Sequence, residues 1–325
     1  MATIKDVAKK AGVTVTTVSR VLNNRGYISE ATRKKVYKAM EELNYQPNEL
    51  ARSLYRRKSN LIGVLIPSVS HPFFGQLTYY IEYYAHEAGY KILLCNSGQD
   101  SVKEKEYIDM LKRHQVDGII MGSHTLDVEQ YANINLPIVA IDRHLSDDIP
   151  YISSDNYHGG VLATELLLKK GCKKVAHISG PLILNTPANN RYKAFKDVVT
   201  KENVEHFVVE TKLNKFEIDE YIRLGTELLE AHPDIDGIFA SSDMIAAAII
   251  NVARILNKKI PEELKVVGYD DIELAALIVP PLTTIRQPIK EIAKKAIELI
   301  LDQVDGKKVA TENILPITLI ERETT

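Results

Sequence analysis

The sequence predicts a small all-α helix-turn-helix domain followed by a larger α/β body of two doubly wound subdomains. The first indication is charge: residues 1–60 carry 13 Lys and Arg against 5 Asp and Glu, whereas the whole chain has 41 basic and 43 acidic residues. The second is periodicity, because three helical patterns fill the first 43 residues and strand-like runs alternate with helical ones after residue 59. A basic domain on an acidic body indicates that the small domain meets a polyanion and the large one has another task.

Residues 3–11 are expected to form the first helix. Thr3 is a suitable N-cap, and Asp6 stands at the capping-box spacing in the first turn, where a carboxylate suits the helix dipole. Gly12 is expected to end the helix in a left-handed conformation. The apolar residues at helical spacing form one buried stripe: Ile4, Val7, Ala8 and Ala11.

A second, shorter helix is predicted over residues 15–22, capped by Thr14. Thr16, Thr17 and Arg20 share its outer face near the N-terminus, the face that a recognition helix turns to base edges in the major groove. Arg20 can donate two hydrogen bonds to guanine, and the threonines can contact a thymine methyl group or a phosphate. A third helix is predicted over residues 30–43. The residues of these two helices expected to face the core are Val15, Val18, Val21, Leu22, Ala31, Val36, Ala39, Met40 and Leu43.

From about residue 59 the sequence alternates predicted strands and helices, a βαβ pattern long enough for two doubly wound subdomains. Buried parallel strands are expected at residues 61–66, 91–95, 118–121, 138–141, 175–179, 207–209, 237–240 and 265–269. Helices are expected at residues 73–88, 103–114, 158–170, 187–203, 216–232, 243–256 and 287–304, with a short one near Asp127.

Several classes of function are disfavoured by motifs that the sequence lacks. It has no apolar N-terminal run and no transmembrane stretch, so a cytoplasmic protein is expected. It has no dinucleotide-binding glycine motif, P-loop, zincin motif or nucleophile elbow, so we expect no enzyme, no catalytic residues and no cofactor. Cys95 and Cys172 are interpreted as small buried residues, and no metal site is expected.

Two segments resemble one known family over a long, ungapped stretch: IKDVAKKAGVTVTTVSRVLN, and then ISEATRKKVYKAMEELNYQPNELARSL. On these segments the chain is similar to the lac repressor and purine repressor family (LacI family) of bacterial transcription regulators. The resemblance implies that Thr16, Thr17 and Arg20 occupy base-reading positions. A DNA-binding regulator is therefore expected.

Residues 47–54 resemble the hinge helix of this family, which folds on the operator and lies in the DNA minor groove. Leu54 is an apolar wedge of the kind that opens a base step and kinks DNA. Arg52 and Tyr55 flank the wedge as further DNA contacts, and Tyr55 stands where some relatives have Lys. The expected division is a headpiece at 1–46, a hinge helix and linker at 47–58, and a core at 59–325.

The body resembles periplasmic sugar-binding proteins, the body plan of the LacI family, in which ligand lies between two lobes at the carboxyl ends of the strands. The chain is expected to cross between the lobes three times, with the closing strand at 315–322. We place lobe 1 near 59–159 plus 287–318 and lobe 2 near 160–286. No heptad tail follows, so the expected assembly is a homodimer rather than a tetramer.

The predicted effector site combines charged residues at strand ends with apolar ones. The resemblance implies that Arg191, in the pattern R-x-x-x-F, and Asp270 grip the effector, and Asp142 ends another strand. The apolar candidates are Phe73 or Phe74 as a stacking plate and Phe216 as a wall. Asp155 and Asn156 are expected to form hydrogen bonds near a lobe crossing, and Asp271 to brace a loop.

Two carboxylates and one Arg suit the vicinal hydroxyls of a neutral polyol better than a phosphate or a dicarboxylate. The segment 141–157 is similar to the sucrose-operon repressors of Gram-positive bacteria, so sucrose or a fructose-containing sugar is expected, with a monophosphorylated sugar as the alternative. The expected function is a repressor that binds near-palindromic operator DNA under control of this ligand. Whether the ligand induces or corepresses stays open.

Two other regulators are weighed against this reading. A global catabolite regulator would bind a phosphoprotein corepressor on a basic helix face near the C-terminus, but Glu298 stands where a cation is wanted beside Lys294 and Lys295. A purine-responsive repressor would require more aromatic stacking than this chain offers, since it has no Trp.

Overall fold

The computed structural model describes residues 2–46, 58–98, 100–123, 134–183, 186–212 and 217–325. The chain divides into two compact units, Met1–Ser59 and Asn60–Thr325. The hinge residues Arg52, Leu54 and Tyr55, the wall residue Phe216 and the short helix near Asp127 lie outside the described residues.

The first unit contains the three predicted helices: α1 (Ile4–Ala11), α2 (Val15–Leu22) and α3 (Glu30–Glu42). Thr3 and Asp6 form the predicted capping box of α1, and Gly12 ends that helix with a φ of 66°. Thr14 caps α2 as predicted, and Ser29 caps α3. The buried residues of this unit are Val7, Ala8, Val18, Val21, Val36 and Ala39.

Two predicted core positions of the first unit are wrong. The Val15 residue is 40% exposed, and Ala31 is exposed as well. Both residues stand in the first turn of their helices. Because helical side chains point back toward the N-terminus, these two extend past the region where the helices meet.

The second unit contains two six-stranded sheets. The strands of the first sheet are β1 (Leu61–Ile66), β2 (Lys91–Asn96), β3 (Gly118–Met121), β4 (Ile138–Ile141), β5 (Tyr151–Ser154) and β11 (Glu312–Leu315). The sheet is parallel in the order β11-β5-β4-β3-β1-β2. Its helices are α4 (Pro72–Glu87), α5 (Ser101–Arg113) and α10 (Ile289–Val304). One apolar core lies beneath α4 and α10, and another beneath α5.

The second sheet has the same plan. Its strands are β6 (Lys174–Ser179), β7 (Glu205–Glu210), β8 (Gly237–Ala240), β9 (Lys265–Asp270), β10 (Thr283–Arg286) and β12 (Thr318–Ile320). The order is β12-β10-β9-β8-β6-β7, and only the β12 pairing is antiparallel among the described strands. Its helices are α6 (Asn156–Lys169), α7 (Asn190–Lys201), α8 (Ile218–Ala231) and α9 (Asp243–Ile255).

The chain passes from one sheet to the other three times, between β5 and α6, between β10 and α10, and between β11 and β12. Helix α6 packs against β8 and β9 of the second sheet, so the first crossing lies at Asp155, a few residues before the expected boundary at 159. The expected closing strand at 315–322 is observed as β12 in the second sheet, and the strand before it, β11, ends at Leu315 in the first sheet. Pro316 lies between them, where its missing N–H removes no ladder hydrogen bond.

Candidate functional site

The outer face of α2 forms the candidate DNA-reading surface of the first unit. Thr16 and Arg20 are exposed there as predicted. Thr17 is half-buried, and its hydroxyl lies 2.9 Å from the hydroxyl of Thr14, so helix capping engages the polar group of this residue. A groove runs along this face and is lined by Val15, Thr16, Ser19, Arg20, Asn23, Arg25 and Gly26. The sequence prediction did not include the polar lining residues beyond α2, because they follow the end of the helix.

In the second unit, Arg191 occupies the second position of α7 and is only 7% exposed. Its Nε donates to Asn156 Oδ1 at 2.7 Å, and its Nη1 donates to the carbonyl oxygen of Ser241 at 2.7 Å. Its guanidinium carbon lies 3.6 Å from the centre of the Tyr269 ring. These contacts fix the orientation of the planar donor group before any ligand arrives.

Two glycines of α6 permit this arrangement. A Cβ on Gly159 would lie 2.6 Å from the Tyr269 hydroxyl, and one on Gly160 would lie 2.7 Å from the Arg191 carbonyl oxygen. The absence of side chains therefore lets α6 approach both α7 and β9. Ala194 stands one turn further along α7, and its methyl group would lie 2.8 Å from a Cβ on Gly160.

Asp142 follows β4 with a left-handed φ of 52° and is buried. Its Oδ1 accepts a hydrogen bond from the Ser153 hydroxyl at 2.6 Å, and Asn156 Nδ2 donates to that hydroxyl oxygen at 2.9 Å. Because Asn156 also accepts from Arg191, one chain of hydrogen bonds runs from Asp142 in the first lobe to Arg191 in the second. Burial raises the pKa of Asp142, and the charge of Arg191 partly opposes that rise.

Asp270 ends β9 with a φ of 118°, a backbone conformation that L-residues rarely adopt. Its Oδ1 accepts from Gln287 Nε2 at 2.7 Å, and the Ser154 hydroxyl donates to Gln287 Oε1 at 2.8 Å. Burial raises the pKa of Asp270 to about 7. A second chain of hydrogen bonds thus joins the lobes, through a residue that the sequence prediction missed.

Two neighbouring aspartates have structural partners. Asp243 accepts from the Thr284 hydroxyl at 2.5 Å and from the Ile272 amide at 2.9 Å, and burial raises its pKa well above the usual range. Asp271 pairs with Arg286 at 2.6 Å and Arg322 at 2.7 Å, and so braces its loop as predicted.

The aromatic candidates Phe73 and Phe74 start α4 but are only 5% and 8% exposed. Their rings meet edge to face, with centroids 5.2 Å apart, and they pack in a core cluster that also contains Ile272 of the second lobe. Their faces are covered by protein, so a stacking role would require the lobes to move.

A groove of 370 Å³ lies between the lobes beside the two hydrogen-bond chains. The first lobe contributes strand residues of β5 and β11 with His144, and the second lobe contributes Thr186, Pro187 and Asn190. Ser153 and Asn156 also line it, so it reaches the buried polar cluster. Asp155 caps α6 at this place by accepting from the His158 amide at 3.0 Å.

No group of side chains suited to a metal ion occurs among the described residues. No helix in that part of the chain is long and apolar enough to cross a membrane. Cys95 and Cys172 are buried, and burial raises the pKa of Cys95 to about 11 and that of Cys172 to about 12. Neither thiol is therefore a reactive nucleophile near neutral pH.

Comparison with known proteins places this geometry in a family. Residues 3–48 match the family described as bacterial regulatory proteins, lacI family, and residues 164–325 match the periplasmic binding protein-like domain. The ribose operon repressor of Halalkalibacterium halodurans is 45% identical over 100% of this chain and 97% of its own length. The sucrose operon repressor of Streptococcus mutans is 42% identical over 99% of both chains.

Two solved structures share the architecture. The lac repressor dimer bound to operator and the anti-inducer ONPF superposes with a TM-score of 0.88 at 27% identity, covering 99% of this chain and 98% of that one. A LacI-type regulator from Alkaliphilus metalliredigens, complexed with D-xylulofuranose, superposes with a TM-score of 0.77 at 37% identity, over 82% of this chain and 99% of that one. With near-complete coverage at 42–45% identity, this chain belongs to the lacI family of bacterial regulatory proteins.

Proposed function

We propose that this protein is a cytoplasmic, homodimeric repressor of a sugar-utilisation operon, controlled by a small sugar bound between its lobes. The observation that carries the proposal is the buried cluster of Asp142, Arg191 and Asp270. At the carboxyl ends of parallel strands, two carboxylates from different lobes lie near one oriented guanidinium, whose charge opposes the rise in the pKa of both. Such a cluster accepts several O–H bonds and donates a planar pair, which matches neighbouring sugar hydroxyls.

The comparisons support the sugar class. The two reported relatives are named for ribose and sucrose operons, and the Alkaliphilus regulator holds a sugar in furanose form. We therefore place a neutral furanose sugar first, ribose or a fructose-containing sugar, and its monophosphate second. The dimer would bind near-palindromic operator DNA, as the lac repressor dimer binds its operator, through a headpiece at 1–46 and a hinge at 47–58.

The alternative regulators gain no support from the geometry. In α10, Lys294 and Lys295 each lie 3.9 Å from a carboxylate oxygen of Glu298, so this face is partly neutralised. A phosphoprotein corepressor would be attracted only weakly to it. A purine would need an open aromatic face, and Phe73 and Phe74 are covered.

A thermal-shift screen with and without operator DNA tests the proposal. Ribose, fructose, sucrose and their monophosphates are compared with nucleobases and dicarboxylates. We expect one sugar to raise the unfolding temperature of the core and to change its affinity for operator DNA. Tight binding of a nucleobase or dicarboxylate, with no response to any sugar, would overturn the assignment.

A further inference from the structure

We infer that Arg322, which follows β12, is a positioning residue for effector binding. Through Asp271 it holds the neighbouring Asp270 in a strained backbone conformation, in which the Asp270 carboxylate accepts from Gln287. The inference rests on the proposed function, because Asp270 is one of the carboxylates proposed to bind the sugar. It gives the segment beyond the closing strand a part in ligand affinity.

The backbone that leaves β9 turns through two left-handed residues in succession. Asp270 has a φ of 118°, which L-residues rarely adopt, and Asp271 has a φ of 55°. Strain of this kind persists only where surrounding contacts hold the residues in place, and it is concentrated at ligand-binding sites. The direction of the Asp270 side chain therefore depends on the contacts that hold this turn.

Asp271 is the residue of the turn that is held by opposite charge. Its Oδ1 accepts from Arg322 Nη2 at 2.7 Å, and its Oδ2 accepts from Arg286 Nε at 2.6 Å. The side chain of Asp271 is 6% exposed, that of Arg322 is 18% exposed and that of Arg286 is 54% exposed. Solvent and salt screen an exposed ion pair far more than a buried one, so Arg322 is the stronger partner of this carboxylate.

Arg322 also holds the far end of the same segment. Its Nη1 donates to the carbonyl oxygen of Leu282 at 2.7 Å, and its backbone amide donates to the Thr283 hydroxyl at 2.8 Å. Asp271 and Leu282 are the first and last residues of the connection between β9 and β10. One guanidinium therefore fixes both ends of this connection, as its planar set of donors allows.

The residues on either side of Asp271 are held from other elements. The Gln287 amide donates to the carbonyl oxygen of Asp270 at 3.2 Å, and its Nε2 donates to the carboxylate of the same residue at 2.7 Å. The Ile272 amide donates to Asp243, the first residue of α9, at 2.9 Å. Loss of the Arg322 contact would loosen the middle residue of the three, so the Asp270 carboxylate would no longer be held in place for a ligand.

A double-mutant cycle by calorimetry tests the inference on the full chain, with whichever of ribose, fructose and sucrose binds most tightly. Arg322→Met is expected to weaken that sugar about tenfold. Arg322→Lys keeps the charge opposite Asp271 and should stay within about threefold of the original protein. Asp270→Gly accepts the φ of 118° and has no carboxylate to position, so adding Arg322→Met to it should cause no further loss. Arg322→Met should not change operator affinity without sugar.

The controls separate a positioning role from a structural one. Arg223→Met removes another arginine of the same lobe, which pairs with Glu220 and Glu227 on α8, and it should leave sugar affinity unchanged. If Arg322→Met fails to fold, Asp271→Asn replaces it in the cycle, because Asn accepts a left-handed φ and weakens the same ion pair. Losses that add in the double variant, or the original affinity in Arg322→Met, would overturn the inference. An original protein that binds none of the sugars would overturn the proposed function instead.

Discussion

The guanidinium of Arg191 lies against the face of the Tyr269 ring, 3.6 Å from its centre, while two of its nitrogens donate to Asn156 and Ser241. Stacking and hydrogen bonding both use the planar shape of the group, which a lysine does not have. Arg191 is therefore already oriented, and little side-chain entropy would be lost if it contacts a ligand.

The first prediction concerns this preorganised group. Arg191→Lys keeps the positive charge but removes the planar fork, so sugar binding should weaken by about 1.5–3 kcal/mol, the range for hydrogen bonds to charged groups. Operator affinity without sugar should stay close to that of the original protein. Calorimetry with the sugar and fluorescence anisotropy with operator DNA measure the two effects. Unchanged sugar affinity would show that the ligand does not contact Arg191.

The second prediction is a pH dependence of stability. Burial raises the pKa of Asp270 to about 7, above the value of 3.8 for an unperturbed Asp. The folded chain thus binds more protons than the unfolded chain between pH 4 and 7, so the free energy of unfolding should fall as pH rises through that interval. The raised pKa values of Asp142 and Asp243 act in the same direction.

Asp270→Asn isolates the contribution of that carboxylate. The variant should show a shallower decline with pH, and at pH 8 it should be more stable than the original protein by on the order of 1–3 kcal/mol. Urea unfolding of the core, followed from pH 4 to 8, measures this. Asp147→Asn, at a side chain that is 100% exposed, is the control. A variant with the original slope would contradict the prediction. Asp270→Asn should also weaken sugar binding. The two effects together would show that this carboxylate lowers the stability of the protein while it serves ligand binding.

Local pattern predicted much of this fold. Strands β1, β3, β4 and β8 match their predicted bounds because apolar runs between turn signals mark buried parallel strands. Strands β5 and β10 were missed because Ser and Thr interrupt their apolar pattern. Their buried hydroxyls have partners distant in sequence: Ser154 bonds Gln287, 133 residues away, and Thr284 bonds Asp243, 41 residues away.

The candidate site, too, could be predicted from local sequence patterns only in part. Asp142, Arg191 and Asp270 could be named from strand ends and family resemblance, because each stands in a recognisable local pattern. Gln287 could not, since its hydrogen-bond partners Asp270 and Ser154 belong to other strands. The burial of both Phe73 and Phe74, rather than of one of them, was also not predictable, because it depends on how another element packs on α4.

The third prediction concerns DNA reading by α2. Arg20→Ala should cost about 1–3 kcal/mol per half-site and relax the preference at one symmetric base pair, because Arg20 is exposed at the groove and can pair with guanine. Arg25→Ala, in the turn beyond the helix, is the comparison variant. The loss of a phosphate contact there would weaken binding to all DNA sequences equally. Anisotropy titrations against operators that vary at each position distinguish the two. An equal loss on every base variant for Arg20→Ala would exclude base reading.

The fourth prediction concerns the hinge. Leu54→Ala should weaken operator binding strongly and leave sugar binding nearly intact, because an apolar wedge acts only on the DNA. Anisotropy and calorimetry give the two affinities. Equal weakening of both would instead assign Leu54 to the fold of the protein.

The last prediction concerns communication between the lobes. Gln287 donates to Asp270 and accepts from Ser154, so it joins a predicted effector-binding carboxylate to the strand before the first crossing. Gln287→Leu keeps the approximate volume and removes both hydrogen bonds. Typical coupling changes operator affinity by about 5–150-fold between the sugar-free and the sugar-saturated protein. In Gln287→Leu this ratio of affinities should move toward one, and the affinity for sugar should change less. Gln303→Leu breaks hydrogen bonds to Ile138 and Leu299 within the first lobe and serves as the matched control. An unchanged ratio in Gln287→Leu would mean that the lobes communicate by another route.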